Sequence, residues 1–238
     1  SGALKTLREG YKSGPKVTPP EIMMARFYQQ TNDPTNAEHW LATALTAEPK
    51  NLQTLLAVGH HALDVGDLTK AQRFAIEATK IDPKSNDAKV LRGLTALYQH
   101  DFTTAESIFE GISKTSPNVV ATNNLALALV EQDDKTKRKH ALEMAEANAK
   151  QFPKWPEILS TYAIVLYRLG RLDDAEKVAQ DIESIAGRDG DTAYVCARIA
   201  VDRGNKDKAK QLLETALKQK KAFMYQPDAE ELLSQLKQ

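Results

Sequence analysis

The side chains able to do chemistry are few and scattered in this sequence, and none of their spacings is that of a common catalytic centre. No glycine-rich phosphate loop, HExxH zinc motif, paired-cysteine cluster or G-x-S-x-G elbow occurs. The chain is therefore read as non-enzymatic, with no cofactor and no metal. His60 and His61 are adjacent, and neighbouring residues on a helix point about 100° apart, too far round the axis to share one metal ion. Gly187-Arg188-Asp189-Gly190-Asp191 brings two carboxylates close together, but calcium needs six to eight oxygens from a longer loop, so a helix-capping turn is expected. Cys196 lies beside Ala197 and Ile199 and is expected to be a buried, inert thiol; a lone cysteine forms no intrachain disulfide. Lys135-Thr136-Lys137-Arg138-Lys139-His140 is basic, yet it follows Glu131, Asp133 and Asp134 and has no interleaved aromatic for base stacking. A solvated turn is the expectation there, and no nucleic-acid partner.

Composition supports the same reading. The 238 residues include 32 basic and 32 acidic side chains, so no bulk field favours nucleic acid or an anionic membrane, and an electrostatic partner must be met by a local patch. No apolar run is long enough to insert in a membrane as a helix. Ser1-Gly2-Ala3-Leu4-Lys5 lacks the basic and apolar segments of a signal peptide. The compartment is left open.

The elements that would position these residues follow from a periodic column of alanines. Ala3, Ala37, Ala71, Ala105, Ala141, Ala175 and Ala209 stand 34, 34, 34, 36, 34 and 34 residues apart. Twelve residues before most of them stands a second small residue, Ala25, Gly59, Gly93, Ala163 or Ala197, with Ala126 at fifteen in the long repeat. Twelve residues after the first five stand Pro15, Pro49, Pro83, Pro117 and Pro153. Such a period belongs to a helix–turn–helix unit stacked on copies of itself. Helices are expected at about 52–64, 67–80, 86–99 and 101–115, among others. Gly59 and Gly93 fall in mid-helix, where glycine costs about 1 kcal/mol relative to alanine, so a close helix crossing is expected at each. The two extra residues of the fourth repeat, within Glu131 to Arg138, are expected to lengthen a surface turn.

Gly66-Asp67-Leu68-Thr69-Lys70-Ala71, Gly170-Arg171-Leu172-Asp173-Asp174-Ala175 and Gly204-Asn205-Lys206-Asp207-Lys208-Ala209 each resemble the turn and second-helix entry of the tetratricopeptide repeat (TPR) family, and Ile81-Asp82-Pro83-Lys84-Ser85 resembles its closing loop. The pattern departs from the family where no tryptophan holds the fourth position of a repeat, and where Gly187 and Lys221 replace the closing proline. The resemblance implies an all-α, right-handed superhelical solenoid of about six TPR units plus a C-terminal capping helix. Residues 1–17 then hold the second helix of a truncated preceding repeat, 18–222 the six units and 223–238 the cap. Ser1-Gly2 reads as a cloning scar, with the natural protein expected to continue upstream.

The resemblance also implies a function: a scaffold for protein–protein interaction, binding a peptide or partner segment in the concave groove lined by the first helix of each unit. Transferred to this register, the groove positions are Arg26, Gln29, Gln30, His60, Asp64, Tyr98, Asn123, Glu131, Ser160, Tyr167, Arg168, Tyr194, Arg198 and Asp202. Tyr98, Tyr167, Arg168, Tyr194 and Arg198 are expected to form one wall carrying the binding energy, since Tyr and Arg are enriched at hot spots. TPR domains that clamp a terminal carboxylate carry Lys, Arg and Asn at fixed positions, where this chain has Arg26, His60, Leu94, Leu127, Ile164 and Arg198; that mode is not expected. A structural spacer or oligomerisation module, or the accessory region of a multi-domain enzyme, are the alternatives.

Overall fold

The computed structural model describes residues 2–12, 14, 16–186 and 189–238. Pro15, Gly187 and Arg188, together with the side chain of Ala3, lie outside what is described, and with them part of the closing column, of the proposed capping turn and of the alanine column. Among the described residues there are 14 helices and no strand: α1 (Gly2–Gly10), α2 (Pro20–Gln30), α3 (Pro34–Ala47), α4 (Leu52–Asp64), α5 (Leu68–Ile81), α6 (Asn86–Tyr98), α7 (Phe102–Thr115), α8 (Val119–Val130), α9 (Lys135–Gln151), α10 (Pro156–Arg168), α11 (Leu172–Ala186), α12 (Gly190–Asp202), α13 (Lys206–Leu217) and α14 (Gln226–Leu236). The chain forms two compact units, the first reaching Thr95 and the second spanning Ala96–Gln238.

Short turns of three or four residues join the members of each helix pair, which makes them antiparallel neighbours. The local chemistry of these turns repeats. Asn32, Gly66, His100, Gly170 and Gly204 all have φ between 56° and 78°, the left-handed conformation that ends a helix. In four of the five turns the next residue, Asp33, Asp67, Asp101 or Asn205, caps the following helix by accepting the amide three positions on. Glycine enters that conformation freely, whereas His100 and Asn32 are held there against a steric penalty.

Packing explains the small residues. From Ala37 to Ala209 every alanine of the column is fully buried, as are Ala25, Ala126, Ala163 and Ala197. A Cβ added at Gly59 would sit 2.5 Å from Leu91 Cδ2 and 3.4 Å from Phe74 Cβ, so the Leu91 side chain of α6 fills the space that a side chain at this point of α4 would need. In the first unit α1 is tied to its neighbours by Arg8, whose Nη2 donates to Glu21 Oε1 at 2.6 Å, and by Tyr11, whose hydroxyl donates to Glu48 at 2.7 Å.

The insertion behaves differently from expectation. The turn after α8, Glu131–Asp134, is one residue longer than those of the other pairs, and most of the extra length goes into α9, which begins six residues before Ala141, whereas α5 and α7 begin three before Ala71 and Ala105. Asp134 holds this early start by accepting the amides of Thr136 and Lys137 at 2.7 and 2.9 Å. The basic cluster therefore lies on a helix and not in a turn. Lys137 donates to Glu106 at 2.6 Å and Arg138 lies 3.4 Å from Asp133. Cys196 is buried. At the C-terminal end Ala229, Leu232 and Leu233 of α14 are buried while Glu231 is exposed.

Candidate protein-interaction site

The first helices of the pairs carry the candidate surface, and it differs between the two units. In the first unit, α2 and α4 pack together and leave Arg26, Gln29, Gln30 and His60 exposed and Asp64 half-buried. Arg26, Gln29, His60 and Asp64 rim a cavity of about 310 Å³ whose floor includes Ile22, Ala25, Leu56 and Ala57. Gln30 is on α2 but does not line it. An apolar floor with a polar rim is the usual make-up of a recognition patch.

In the second unit most of the expected residues are engaged with neighbouring side chains. Asn123 on α8 donates to Thr161 Oγ1 on α10 at 2.9 Å, and Thr192 on α12 donates to Ser160 Oγ on α10 at 2.9 Å. Asn123 and Ser160 are consequently buried: they stitch neighbouring first helices together and do not face solvent. Arg198 Nε donates to the Tyr167 hydroxyl at 3.2 Å, and both side chains are half-buried. Burial raises the Tyr167 pKa, and the Arg198 charge opposes that rise. Tyr98 is half-buried and Asp202 exposed.

The remaining three positions surround a residue that the repeat register leaves out. Tyr225, 1% exposed, lies in the segment between α13 and α14. Its hydroxyl donates to Glu131 Oε1 at 2.5 Å, and its ring stacks on Tyr194 with centroids 5.1 Å apart and planes 20° apart. The Arg168 guanidinium sits 5.7 Å from the same ring and donates through Nε to Glu131 at 2.8 Å. The Tyr225 amide donates to Asp191 Oδ1 at 3.0 Å, and His100 Nε2 donates to the Met224 carbonyl at 3.1 Å. Phe223 packs where a Cβ on Gly190 would lie 2.3 Å from its ring.

The electrostatics follow from burial. Tyr225 is pushed well above the ordinary tyrosine range by burial and by the Glu131 charge, so its phenol stays a proton donor. Burial opposes the Arg168 charge, but Glu131 beside it prevails and raises the pKa. Asp191 is pushed up to about 7, chiefly by burial and then by Asp189, against the pull of the Tyr225 and Met224 amides. Tyr194, expected on an open wall, is 2% exposed because Tyr225 covers it.

Comparison with known proteins fits this geometry. The tetratricopeptide repeat model matches residues 156–181, which are α10 and most of α11. The chain has the TPR fold, and residues 156–181 are a tetratricopeptide repeat. A TPR protein from Parabacteroides merdae superposes with a TM-score of 0.69 at 14% identity, covering 92% of this chain and 84% of that one. A thermophilic TPR protein of Thermus thermophilus superposes at 0.63 and 18% identity, covering 78% and 97%. These likenesses concern the TPR fold. In sequence, the human trafficking protein particle complex subunit 12 is 26% identical over 158 residues, covering 62% of this chain and 21% of that protein. This chain thus spans about a fifth of that relative's length.

Sequence reasoning did not single out His100, Asp191 or Phe223-Met224-Tyr225 for the site. The available signal was the apolar and aromatic triplet one residue beyond Lys218-Gln219-Lys220-Lys221, next to the point where the closing proline is missing.

Proposed function

We propose that this chain is a non-enzymatic protein-interaction scaffold that takes an extended segment of another protein across α2 and α4. The observation that carries this reading is the cavity of the first unit, where Arg26, Gln29 and His60 stand exposed around an apolar floor. Met23 and Phe27, 45% and 53% exposed one helical turn apart on α2, add apolar surface nearby. A preformed helical surface loses little entropy on binding, so an extended segment can be held by a few anchors. The basic residues of α9 support a protein ligand over nucleic acid, because Lys137 and Arg138 already face carboxylates. The likeness to a subunit of a trafficking complex supports a place within a multi-protein assembly.

The test is to select binders from a random peptide library on the full chain and measure them by fluorescence polarisation. The double variant Arg26→Ala/His60→Ala is expected to weaken binding at least tenfold, about 1.4 kcal/mol, with helix content unchanged. Equal binding by the variant would move the reading to a structural spacer.

A further inference from the structure

We propose that the second unit contains a tyrosine-recognition site, occupied by the chain's own Tyr225, and that a tyrosine-bearing turn of a partner protein exchanges with it. This site is separate from the α2–α4 surface and does not rest on that reading.

Every recognisable feature of a tyrosine residue is met. Tyr194 takes one ring face and Arg168 stands over the ring. Glu131 accepts from the phenol at 2.5 Å, a bond that phenylalanine cannot make. Asp191 accepts the main-chain amide, and His100 donates to the carbonyl of the preceding residue. Two positions earlier, the missing side chain of Gly190 leaves a slot for the Phe223 ring. The contacts therefore read an aromatic, any residue, then tyrosine, in a turn closed by the Gln226 amide, which donates to the Phe223 carbonyl at 3.1 Å.

Two features make the occupant exchangeable. Lys218 to Lys221, which lead into the segment, are exposed, while α14 is held separately by buried Ala229, Leu232 and Leu233, so the intervening loop can leave with both ends anchored. His100 itself adopts the left-handed conformation, φ 56°, which glycine holds in three of the other turns; a strained non-glycine residue aimed at a main-chain carbonyl is a common feature of ligand clamps.

A tethered segment competes at an effective concentration in the millimolar range for a short linker, so it masks the site from free peptides. The probe is a fluorescein-labelled synthetic peptide of residues 220–230. Full-length Tyr225→Ala, which vacates the pocket, is expected to bind it at least tenfold more tightly than the wild-type chain. Replacing the tyrosine of the probe by phenylalanine should weaken that binding about tenfold, and Arg26→Ala/His60→Ala should leave it unchanged. If Tyr225→Ala does not fold, hydrogen exchange of the wild-type chain decides: the Met224 and Tyr225 amides should exchange by local opening, faster than amides in the middle of α12. The proposal is overturned if folded Tyr225→Ala binds the probe no better than wild type or binds a scrambled probe equally well. It is equally overturned if those two amides exchange only with global unfolding, which would make the segment a fixed structural cap.

Discussion

Arg168→Met tests whether the Glu131 carboxylate is held by the pair of donors around it. The Glu131 side chain is 7% exposed and accepts from Arg168 Nε at 2.8 Å and from the Tyr225 hydroxyl at 2.5 Å. Removing one partner of a fully buried ion pair costs about 3–5 kcal/mol, because the other charge is left uncompensated. Here Arg168 is itself 26% exposed and Tyr225 still donates, so the loss falls to about 2–3 kcal/mol, and forfeiting the guanidinium over the Tyr225 ring adds about 0.5 kcal/mol. For a chain of this size that total of about 2.5–3.5 kcal/mol lowers the melting temperature by about 5–14 °C. Glu131→Gln keeps an acceptor for Tyr225 and leaves Arg168 partly hydrated, for about 1–2 kcal/mol. If the two act as a unit, the double variant is no worse than Arg168→Met alone, giving a coupling of about 1–2 kcal/mol. Urea and thermal unfolding followed by far-UV circular dichroism and by tyrosine fluorescence provide the measurement, with midpoints compared where both probes coincide. An Arg168→Met chain within about 0.5 kcal/mol of wild type, or strictly additive effects, would refute the reasoning.

The other two predictions concern pH and glycine. Because Asp191 titrates at about 7 in the folded chain against an ordinary 3.8, the native state binds a proton that the unfolded chain has lost between those values. Its stability therefore falls as pH rises from about 4 to about 7 and stays at the lower level above. Asp191→Asn should raise the melting temperature most at about pH 8, less at about pH 5 and hardly at all at about pH 3.5, with Asp189, Asp228 and His100 intact nearby; an unchanged pH profile contradicts this. Gly59→Ala gains about 1 kcal/mol of helix propensity but drives a Cβ to within 2.5 Å of fully buried Leu91, an overpacking of about 1–3 kcal/mol, so the net change is zero to about 2 kcal/mol destabilising. At Gly111, in the interior of α7, a Cβ meets nothing within 4 Å, and Gly111→Ala should stabilise by about 0.5–1 kcal/mol; equal stabilisation at both sites would mean that α4 does not pass close to α6.

Much of the fold was legible in the sequence because repeat packing is local. A small residue every 34 positions records where a second helix meets its own first helix, and a turn followed by Asp or Asn records where a chain reverses. Both are short-range constraints, so the ends of α4 through α7 fall within a residue of their expected places. The misread insertion illustrates the limit. Nothing in Glu131 to Arg138 distinguishes two more loop residues from an earlier helix start until Asp134 is seen to accept two amides at the head of α9.

The candidate surface was legible only as a set of helix positions. Register places Tyr194, Glu131 and Arg168 on first helices, but it does not say which side chain will stand in front of them. That was decided by contacts between residues 94 and 124 positions apart, Glu131 with Tyr225 and His100 with Met224, which no period of 34 encodes. The repeat specifies how each helix meets its neighbour. Whether a face built from several of them is open or filled depends on the segment that follows the break in the pattern after Lys221 and on the long-range contacts it makes, and those exist only in three dimensions.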